Sequence, residues 1–434
     1  MKIKNVHLSP LQVYSRLRFY KKSQHWDRDT IERYQFHCVQ NMLLHAGANV
    51  PYYRDLFRSV RFDPRKFKSL KDLEQLPLLD KGSIRKNPQQ FIADHRSTIH
   101  GYWRQTTGST GTPLRLFLDR NCHVNKYAAT LRAYHWAGYS PGKRAFMLVE
   151  PDGFIKDFGY RLTSNSIFLD ARSVIRENMP KFHRLLKRFK PNYFIGYGRA
   201  FLQLYKYLHE LKLDIPGPRS IVHYGENLLE NDRIKLEEVY RTKVYDFYSH
   251  REDTVIAADP EPGKKFLMED FFYPEILDDN NRIIEAGTGE LIGTGFYNYT
   301  MPLIRYKTTD ILTVSRHVES GPHKFKQVEK IQGRMNDKII TPGGRVYYFM
   351  GEPVFGIPGI IASQYIQHKI DRVSVKLLTD EEFNMASIED VKKKGKDYLG
   401  EDMEIDVEIV EKFEERGSGK RPVIISKLDS IPAF

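Results

Sequence analysis

Between residues 121 and 250 the chain alternates short apolar runs with helix-like segments, and this alternation restricts the fold more than any other feature of the sequence. Val124 to Trp136 is helical in pattern, and Arg144-Ala145-Phe146-Met147-Leu148-Val149 reads as a strand. Tyr193-Phe194-Ile195-Gly196-Tyr197 is a second strand, ending at glycine, after which Phe201, Leu204, Tyr205, Leu208 and Leu211 recur at helical spacing. Ser220 to Glu226 runs as a strand into a turn, Asp232 to Tyr240 as a helix and Lys243 to Tyr248 as a further strand. Strand, helix, strand in that order predicts a parallel α/β sheet, whose ligands lie beyond the carboxyl ends of its strands. Gly196, Gly225 and Tyr248 stand at such ends.

The flanks read differently. Residues 1–75 are helical and basic, with Arg16, Arg18, Lys21 and Lys22 near the start, and fit either a solvated helix face or a peripheral lipid- or nucleic-acid-binding surface. After residue 262 strands and hairpins take over, at Phe266 to Met268, Arg282 to Glu285, Gly289 to Thr294 and Leu303 to Tyr306. From 334 onward the pattern predicts a small α+β unit: a Gly343-Gly344 turn, a strand Arg372 to Leu378, a helix Ser387 to Leu399, and strands Glu404 to Val410 and Val423 to Ser426. At 434 residues the chain is long enough for two or three cores. A boundary at Arg334 divides it into a large domain, 1–333, and a small one, 334–434.

Composition narrows the function classes. With 41% hydrophobic and 13% aromatic residues the chain can build packed cores, which excludes global disorder. Two cysteines, Cys38 and Cys122, cannot form a disulfide framework or a four-thiolate metal site. Neither a secretory signal pattern nor 18 successive apolar residues occurs, so a cytoplasmic protein without a transmembrane segment is expected. The balance of 68 basic against 55 acidic residues, a net charge of +13, favours polyanionic ligands such as nucleotides or coenzyme A. No nucleic-acid-binding module is recognisable, so nucleic acid is not the expected partner.

The stretch Arg104-Gln105-Thr106-Thr107-Gly108-Ser109-Thr110-Gly111-Thr112-Pro113 combines two glycines with five hydroxyls, a composition that suits a phosphate chain and equally a polar hairpin loop. It is not a Walker loop, because no lysine follows Gly111 and the next run, Leu114 to Leu118, is strand-like. Four further stretches concentrate polar groups: Tyr248-Ser249-His250-Arg251-Glu252, Tyr306-Lys307-Thr308-Thr309-Asp310, Gly333-Arg334-Met335-Asn336-Asp337 and Gly417-Ser418-Gly419-Lys420. Taken singly, each also reads as an ordinary turn or surface ion pair.

In this order the stretches resemble the adenylate-forming superfamily of acyl-CoA synthetases, luciferases and peptide-synthetase adenylation domains. Asn49-Val50-Pro51-Tyr52-Tyr53-Arg54, Leu76-Pro77-Leu78-Leu79-Asp80-Lys81, Lys190 to Tyr197, Met301 to Tyr306 and Ser418-Gly419-Lys420 look like its phenylacetate-CoA ligase branch, which includes ligase-like proteins of capsule and other surface-polysaccharide clusters. The resemblance implies a large nucleotide- and acyl-binding domain and a small mobile C-terminal domain carrying a catalytic lysine. It implies ATP-dependent formation of an acyl-adenylate from a small carboxylate, then transfer to coenzyme A or an amine; a catalytically silent nucleotide-binding or assembly protein of the same fold is the alternative.

Carried over residue by residue, Thr106, Thr107, Gly108, Ser109, Thr110 and Gly111 would hold the β- and γ-phosphates. Gly225 and Glu226 would border the adenine, Tyr248 would stack on it, and Asp310 and Arg334 would fix the ribose. Glu252 would bind Mg²⁺, Arg251 would reach the α-phosphate, and Lys420 would bridge carboxylate and α-phosphate. Gly196 and Tyr197 would line the acyl pocket. The sequence departs from the wider pattern at Thr112, where a lysine is usual, at Ser249 in place of glycine, at Arg251 in place of a hydroxyl residue and at Thr309 before Asp310. The cysteines that some relatives carry before the GR motif are absent.

Overall fold

In the computed structural model, residues 9–94, 101–105, 114–149, 158–316, 323–334, 338–347, 352–354, 357–415 and 421–428 are described. The chain forms two compact units, neither continuous in sequence: Met1–Trp136 with Phe247–Ile331, and Ala137–Asp246 with Gln332–Phe434.

The first segment opens with helices α1 (Pro10–Ser23), α2 (Arg28–Asn49), α3 (Pro51–Ser59) and α4 (Lys81–Lys86). Side chains and prolines set their starts. Asp27 accepts the Thr30 N–H at 2.8 Å to cap α2, Asp80 accepts the Ser83 N–H at 2.8 Å to cap α4, and Pro51 begins α3 where its missing N–H has no cost. Strands β1 (Gly101–Gln105) and β2 (Arg115–Asp119) pair antiparallel from Gly101↔Asp119 to Gln105↔Arg115, so the hydroxyl-glycine stretch joins two paired strands. Helix α5 (Arg120–Trp136) closes the segment.

The second segment carries β3 (Ala145–Val149), β4 (Phe158–Arg161), β5 (Ser166–Asp170), α6 (Met179–Phe189), β6 (Tyr193–Gly196), α7 (Gly198–Glu210), β7 (Ser220–Tyr224) and α8 (Glu230–Tyr240), and β8 (Lys243–Ser249) leads out of it. Strands β7, β6, β3 and β5 lie in that order and pair parallel, with β4 antiparallel at the edge. All four β6 side-chain positions are buried, as expected of a strand covered on both faces.

The third segment is built of antiparallel strands, β9 (Ile256–Glu261), β10 (Lys264–Leu267), β11 (Phe272–Leu277), β12 (Gly287–Gly295), β13 (Tyr306–Val314) and β14 (Gln327–Arg334), in the order β11-β12-β13-β14-β10-β9. Residues 247–249 of β8 pair with β9. Two expectations fail here. Arg282 to Glu285 contributes only an isolated bridge, Leu277↔Ile283, and Leu303 to Arg305 precedes the strand it was expected to open. Arg305 takes a left-handed backbone, φ 51°, while its guanidinium forms a buried ion pair with Glu275 at 2.7 Å.

The last segment holds β15 (Ile339–Ile340), β16 (Val346–Tyr347), β17 (Ile360–Lys369), β18 (Arg372–Thr379), α9 (Ser387–Leu399), β19 (Glu404–Ile409) and β20 (Ile424–Ser426). Its sheet runs β19-β18-β17-β20 and packs Val373, Val375 and Leu377 with Val391, Leu399 and Ile405. Ile361, Ala362, Leu378 and Phe413 join the core formed by β3, β6, α7 and α8, so within this unit the C-terminal sheet closes over those helices. Gln203 and Tyr207 both donate to the Glu411 carbonyl, at 3.5 and 3.2 Å, and Lys206 donates to the Thr379 carbonyl at 2.9 Å. The α/β class with a small C-terminal α+β sheet agrees with the sequence reading.

Candidate active site

In the unit formed by Met1–Trp136 and Phe247–Ile331, the turn leaving β8 gathers several charged side chains at the end of a strand. Glu252 is buried at 5% exposure. The Tyr306 hydroxyl donates to its Oε1 at 2.8 Å, Lys81 Nζ lies 3.5 Å from the same oxygen, and His250 Nδ1 lies 3.1 Å from Oε2. Burial pushes this carboxyl up, yet the charge of His250, with Lys81 and the Tyr306 hydroxyl, holds it well below the usual carboxylate range. Glu252 is therefore a resident anion among cations.

Lys81 reaches it through a specific docking. The Leu79 N–H donates to the Arg305 carbonyl and the Lys307 N–H to the Leu79 carbonyl, both at 2.9 Å, so Leu79 bridges Tyr306 in parallel sense. Arg305 Nη1 adds a bond to the Leu76 carbonyl at 2.5 Å. Tyr53 completes the junction, donating to the Pro302 carbonyl at 3.0 Å and accepting the Ile304 N–H at 3.1 Å. Three of the family-like stretches thus meet around one cluster that buries Leu79, Met301, Leu303 and Tyr306.

Tyr248, at the end of β8, donates its hydroxyl to Asp310 Oδ2 on β13. Asp310 is buried, and its N–H is held by Thr308 Oγ1 at 3.0 Å. Arg251 is half-buried, and its carbonyl accepts from Arg104 Nη1 at 3.2 Å. Arg104 also pairs with Asp253 Oδ2 at 2.7 Å, and Lys126 Nζ stands 3.6 Å from the other oxygen. Asp253 itself has φ 50°, a backbone conformation disfavoured for most residues, so these cations hold the turn in shape. Arg104 lies on β1, directly before the hydroxyl-glycine stretch, and links that hairpin to the Arg251-Glu252 turn.

The other unit gathers the remaining described candidates at the ends of β6 and β7. At Gly196 a Cβ would lie 2.2 Å from the Leu148 carbonyl oxygen, and at Gly225, with φ 89°, 2.4 Å from Tyr197 Cε1. Only glycine lets these backbones pass so closely. Tyr197 is buried with its ring centroid 5.7 Å from that of Tyr224, and Glu226 Oε1 accepts the Arg199 N–H at 3.0 Å. Arg199 Nε in turn pairs with Asp232 Oδ2 at 2.9 Å.

The structure therefore brings Tyr248, Asp310, Arg251 and Glu252 onto one strand end and its neighbour, and Gly196, Tyr197, Gly225 and Glu226 onto another pair of strand ends. Thr106, Thr107, Gly108, Ser109, Thr110, Gly111, Asn336 and Lys420 lie outside the described residues, as do Thr112 and the rest of the terminal glycine-lysine stretch; Arg334 is described only as the last residue of β14. Sequence reasoning missed Lys81, His250, Tyr306 and Arg104 as site residues. The Leu76 to Lys81 stretch carries a family-like pattern, but nothing in it signals that Lys81 will meet a carboxylate from so distant a part of the chain.

A single buried carboxylate suits Mg²⁺ when phosphate oxygens and waters supply the remaining ligands, and Glu252 is held well below the usual carboxylate range. Among the described residues no group of three or more His, Cys, Asp or Glu side chains could hold a metal alone. Both cysteines are free, and no described helix is long and apolar enough to cross a membrane.

Comparison with known proteins agrees with the resemblance read from the motifs. Residues 339–427 match the CapK C-terminal domain family. The chain is 24% identical over 379 residues to the phenylacetate-coenzyme A ligase of Aromatoleum evansii, covering 82% of this chain and 84% of that protein. It is 22% identical over 393 residues to Protein CapK of Staphylococcus aureus, covering 88% and 86%. Among solved structures, 2-hydroxyisobutyryl-CoA ligase in the postadenylation state with 2-HIB-AMP aligns with a TM-score of 0.74 at 18% identity, over 93% of this chain and 91% of that one. The acyl acid amido synthetase AtGH3.15 aligns with a TM-score of 0.62 at 12% identity, over 93% and 90%. These two likenesses establish the fold.

Proposed function

We propose that this chain, which has the adenylate-forming ligase fold and resembles the phenylacetate-CoA ligase and CapK branch, activates a small carboxylate with ATP and passes the acyl group to coenzyme A or an amine. In the first step a carboxylate oxygen bonds to the α-phosphorus and the bond to the bridging oxygen of pyrophosphate breaks. In the second the acceptor attacks the acyl carbon and AMP leaves. Neither step needs a covalent protein intermediate; both need anions aligned and developing charge neutralised.

The carrying observation is the Glu252 cluster. A carboxylate held well below its usual range faces Lys81 and follows a strand whose Tyr248 is bonded to Asp310. Tyr248 stacks on adenine, Asp310 takes the ribose diol, and their mutual bond keeps the two contacts in register. Gly225 and Glu226 border the adenine, and Gly196 and Tyr197 line the acyl group. Mg²⁺ bound at Glu252 would draw charge from the phosphates. Lys81 supplies a cation that the chain lacks at Thr112, and Arg251 faces the α-phosphate. Thr106 to Gly111, Arg334 and Lys420 take the roles the resemblance gives them.

Phenylacetate-CoA ligases and the CoA ligase in the structural comparison support coenzyme A as acceptor; the amido synthetase supports an amine. The motif resemblance to the branch that includes surface-polysaccharide ligase-like proteins favours a place in that biosynthesis, in the cytoplasm, where ATP is available. Carboxylate-dependent exchange of pyrophosphate into ATP tests the reading. Tight ATP binding without exchange for any acid would instead favour the silent nucleotide-binding alternative, which the missing lysine at 112 keeps in view.

A further inference from the structure

One buried imidazole between the proposed adenine and acyl contacts has no role so far. His223 is the penultimate residue of β7 and is 0% exposed. Its Nδ1 lies 2.6 Å from Asp246 Oδ1 on β8. A carboxylate only accepts hydrogen bonds, so Nδ1 donates to it and Nε2, on the far side of the ring, is the nitrogen left to accept. That nitrogen is buried and has no hydrogen-bond partner among the described residues.

Leaving a buried acceptor unpaired is destabilising, which argues for a partner that arrives with a ligand. The surroundings indicate its chemistry. Glu226 Oε1 stands 3.9 Å from Nε2, too far for a bond between them, and is itself fixed by the Arg199 N–H at 3.0 Å. An amino nitrogen about 2.8 Å from each acceptor could donate one proton to each, whereas a hydroxyl, with one proton, would donate to Nε2 alone. Gly198, the first residue of α7, packs directly against the imidazole: a Cβ there would lie 2.9 Å from His223 Cδ2 and 3.6 Å from Nε2, so a side chain at this position would crowd the ring. Tyr197 and Gly225, on either side, are the residues assigned above to the acyl and adenine contacts.

We propose that His223 Nε2, together with Glu226, recognises a hydrogen-bond donor on the acyl portion of the substrate, which makes the substrate class a hydroxy- or amino-substituted carboxylic acid. Asp246 is a positioning residue that fixes the imidazole tautomer. The proposal rests on the acyl-pocket placement given under the proposed function. A hydrocarbon acid would leave His223 Nε2 unpaired, and sites of this kind discriminate strongly, by as much as about 10⁴-fold, against an analogue lacking the donor.

The test uses the full-length protein and matched acids: 3-hydroxybutanoate with butanoate, 4-hydroxyphenylacetate with phenylacetate, and 4-aminobenzoate with benzoate. Pyrophosphate exchange gives kcat/KM for each, and calorimetry gives binding of each acid without ATP. The wild type should favour the donor-bearing member of at least one pair by about 10²-fold or more. His223→Phe should bring that ratio to within about tenfold, and Asp246→Asn, which keeps the side-chain volume, should move it the same way. A merely structural dyad would lower both members of a pair equally.

A wild type that treats each pair alike, or a preference that survives His223→Phe in folded protein, overturns the assignment while leaving adenylation intact. Donor-dependent binding that His223→Phe abolishes, in a protein silent in exchange, keeps the assignment and removes the adenylation reading. Absence of both exchange and binding removes both. If His223→Phe melts far below the wild type, His223→Gln supplies the comparison.

Discussion

At the scale of single residues, Glu252 is buried and is held well below the usual carboxylate range by His250, Lys81 and the Tyr306 hydroxyl. Glu252→Gln keeps the volume but gives a hard cation no anionic ligand, and should lower Mg²⁺-dependent adenylate formation by more than about tenfold, read at limiting Mg²⁺. Its carboxyl titrates lower in the folded chain than the ordinary value of about 4.3. The stability this contributes is complete above that ordinary value and is lost as pH falls through the folded one. The stability difference between wild type and Glu252→Gln, measured by urea unfolding, should therefore shrink as pH is lowered from neutrality toward about 3, and a difference that grows would contradict the ion cluster. Asp310→Ala should raise the KM for ATP more than the KM for the acid, since a ribose contact has nearly equal worth in ground and transition states. Equal effects on both would indicate a damaged fold, because Asp310 also receives the Tyr248 hydroxyl.

At the scale of elements, the β1–β2 hairpin is tied to the Arg251-Glu252 turn by Arg104. Arg104→Ala should reduce stability by about 1.5–3 kcal/mol, the range for a hydrogen bond to a charged group, and lower adenylation beyond what the loss of folded protein explains. Arg104→Lys should rescue stability better than activity, since an ammonium has no second nitrogen to bond the Tyr102 hydroxyl while it holds the Arg251 carbonyl and Asp253. The strand, helix, strand order from Ala145 to Ser249 was legible because apolar runs bounded by glycine and helical spacing are local signals. β17 was missed for an equally physical reason: it places Ser363, Gln364 and Gln367 in the interior, so apolar alternation is hidden. Gln364 Nε2 satisfies the Glu414 and Pro422 carbonyls at 2.9 Å each, and Gln367 Nε2 the Ile340 carbonyl at 2.6 Å. The early strand start at Leu303 failed because Arg305 bends left-handed to meet Glu275, a partner that spacing does not reveal. The same limit applies to the site. Motif order singled out Tyr248, Glu252 and Asp310, which the fold gathers at one strand end and its neighbour, whereas Lys81 and His223 acquire their surroundings only through docking of distant segments.

At the scale of the whole molecule, the proposed division at residue 334 would let the small domain bring Lys420 to the reacting centre for adenylation and withdraw it for acyl transfer. Asn336→Pro, in the proposed hinge, should spare adenylation and slow transfer, as measured by following the two half-reactions separately. Lys420→Ala should do the reverse, lowering adenylation by about 10² or more while chemically supplied acyl-adenylate is still transferred. The central claim is that this chain joins a carboxylate to the α-phosphate of ATP. Its most direct test is ATP–pyrophosphate exchange with Mg²⁺ across a panel of carboxylates, for the wild type and Lys420→Ala side by side. The account predicts exchange that depends on one class of acid and falls by about 10² or more in the variant. A wild type that binds ATP but exchanges pyrophosphate with no acid, or exchange that is unchanged in Lys420→Ala, would contradict it.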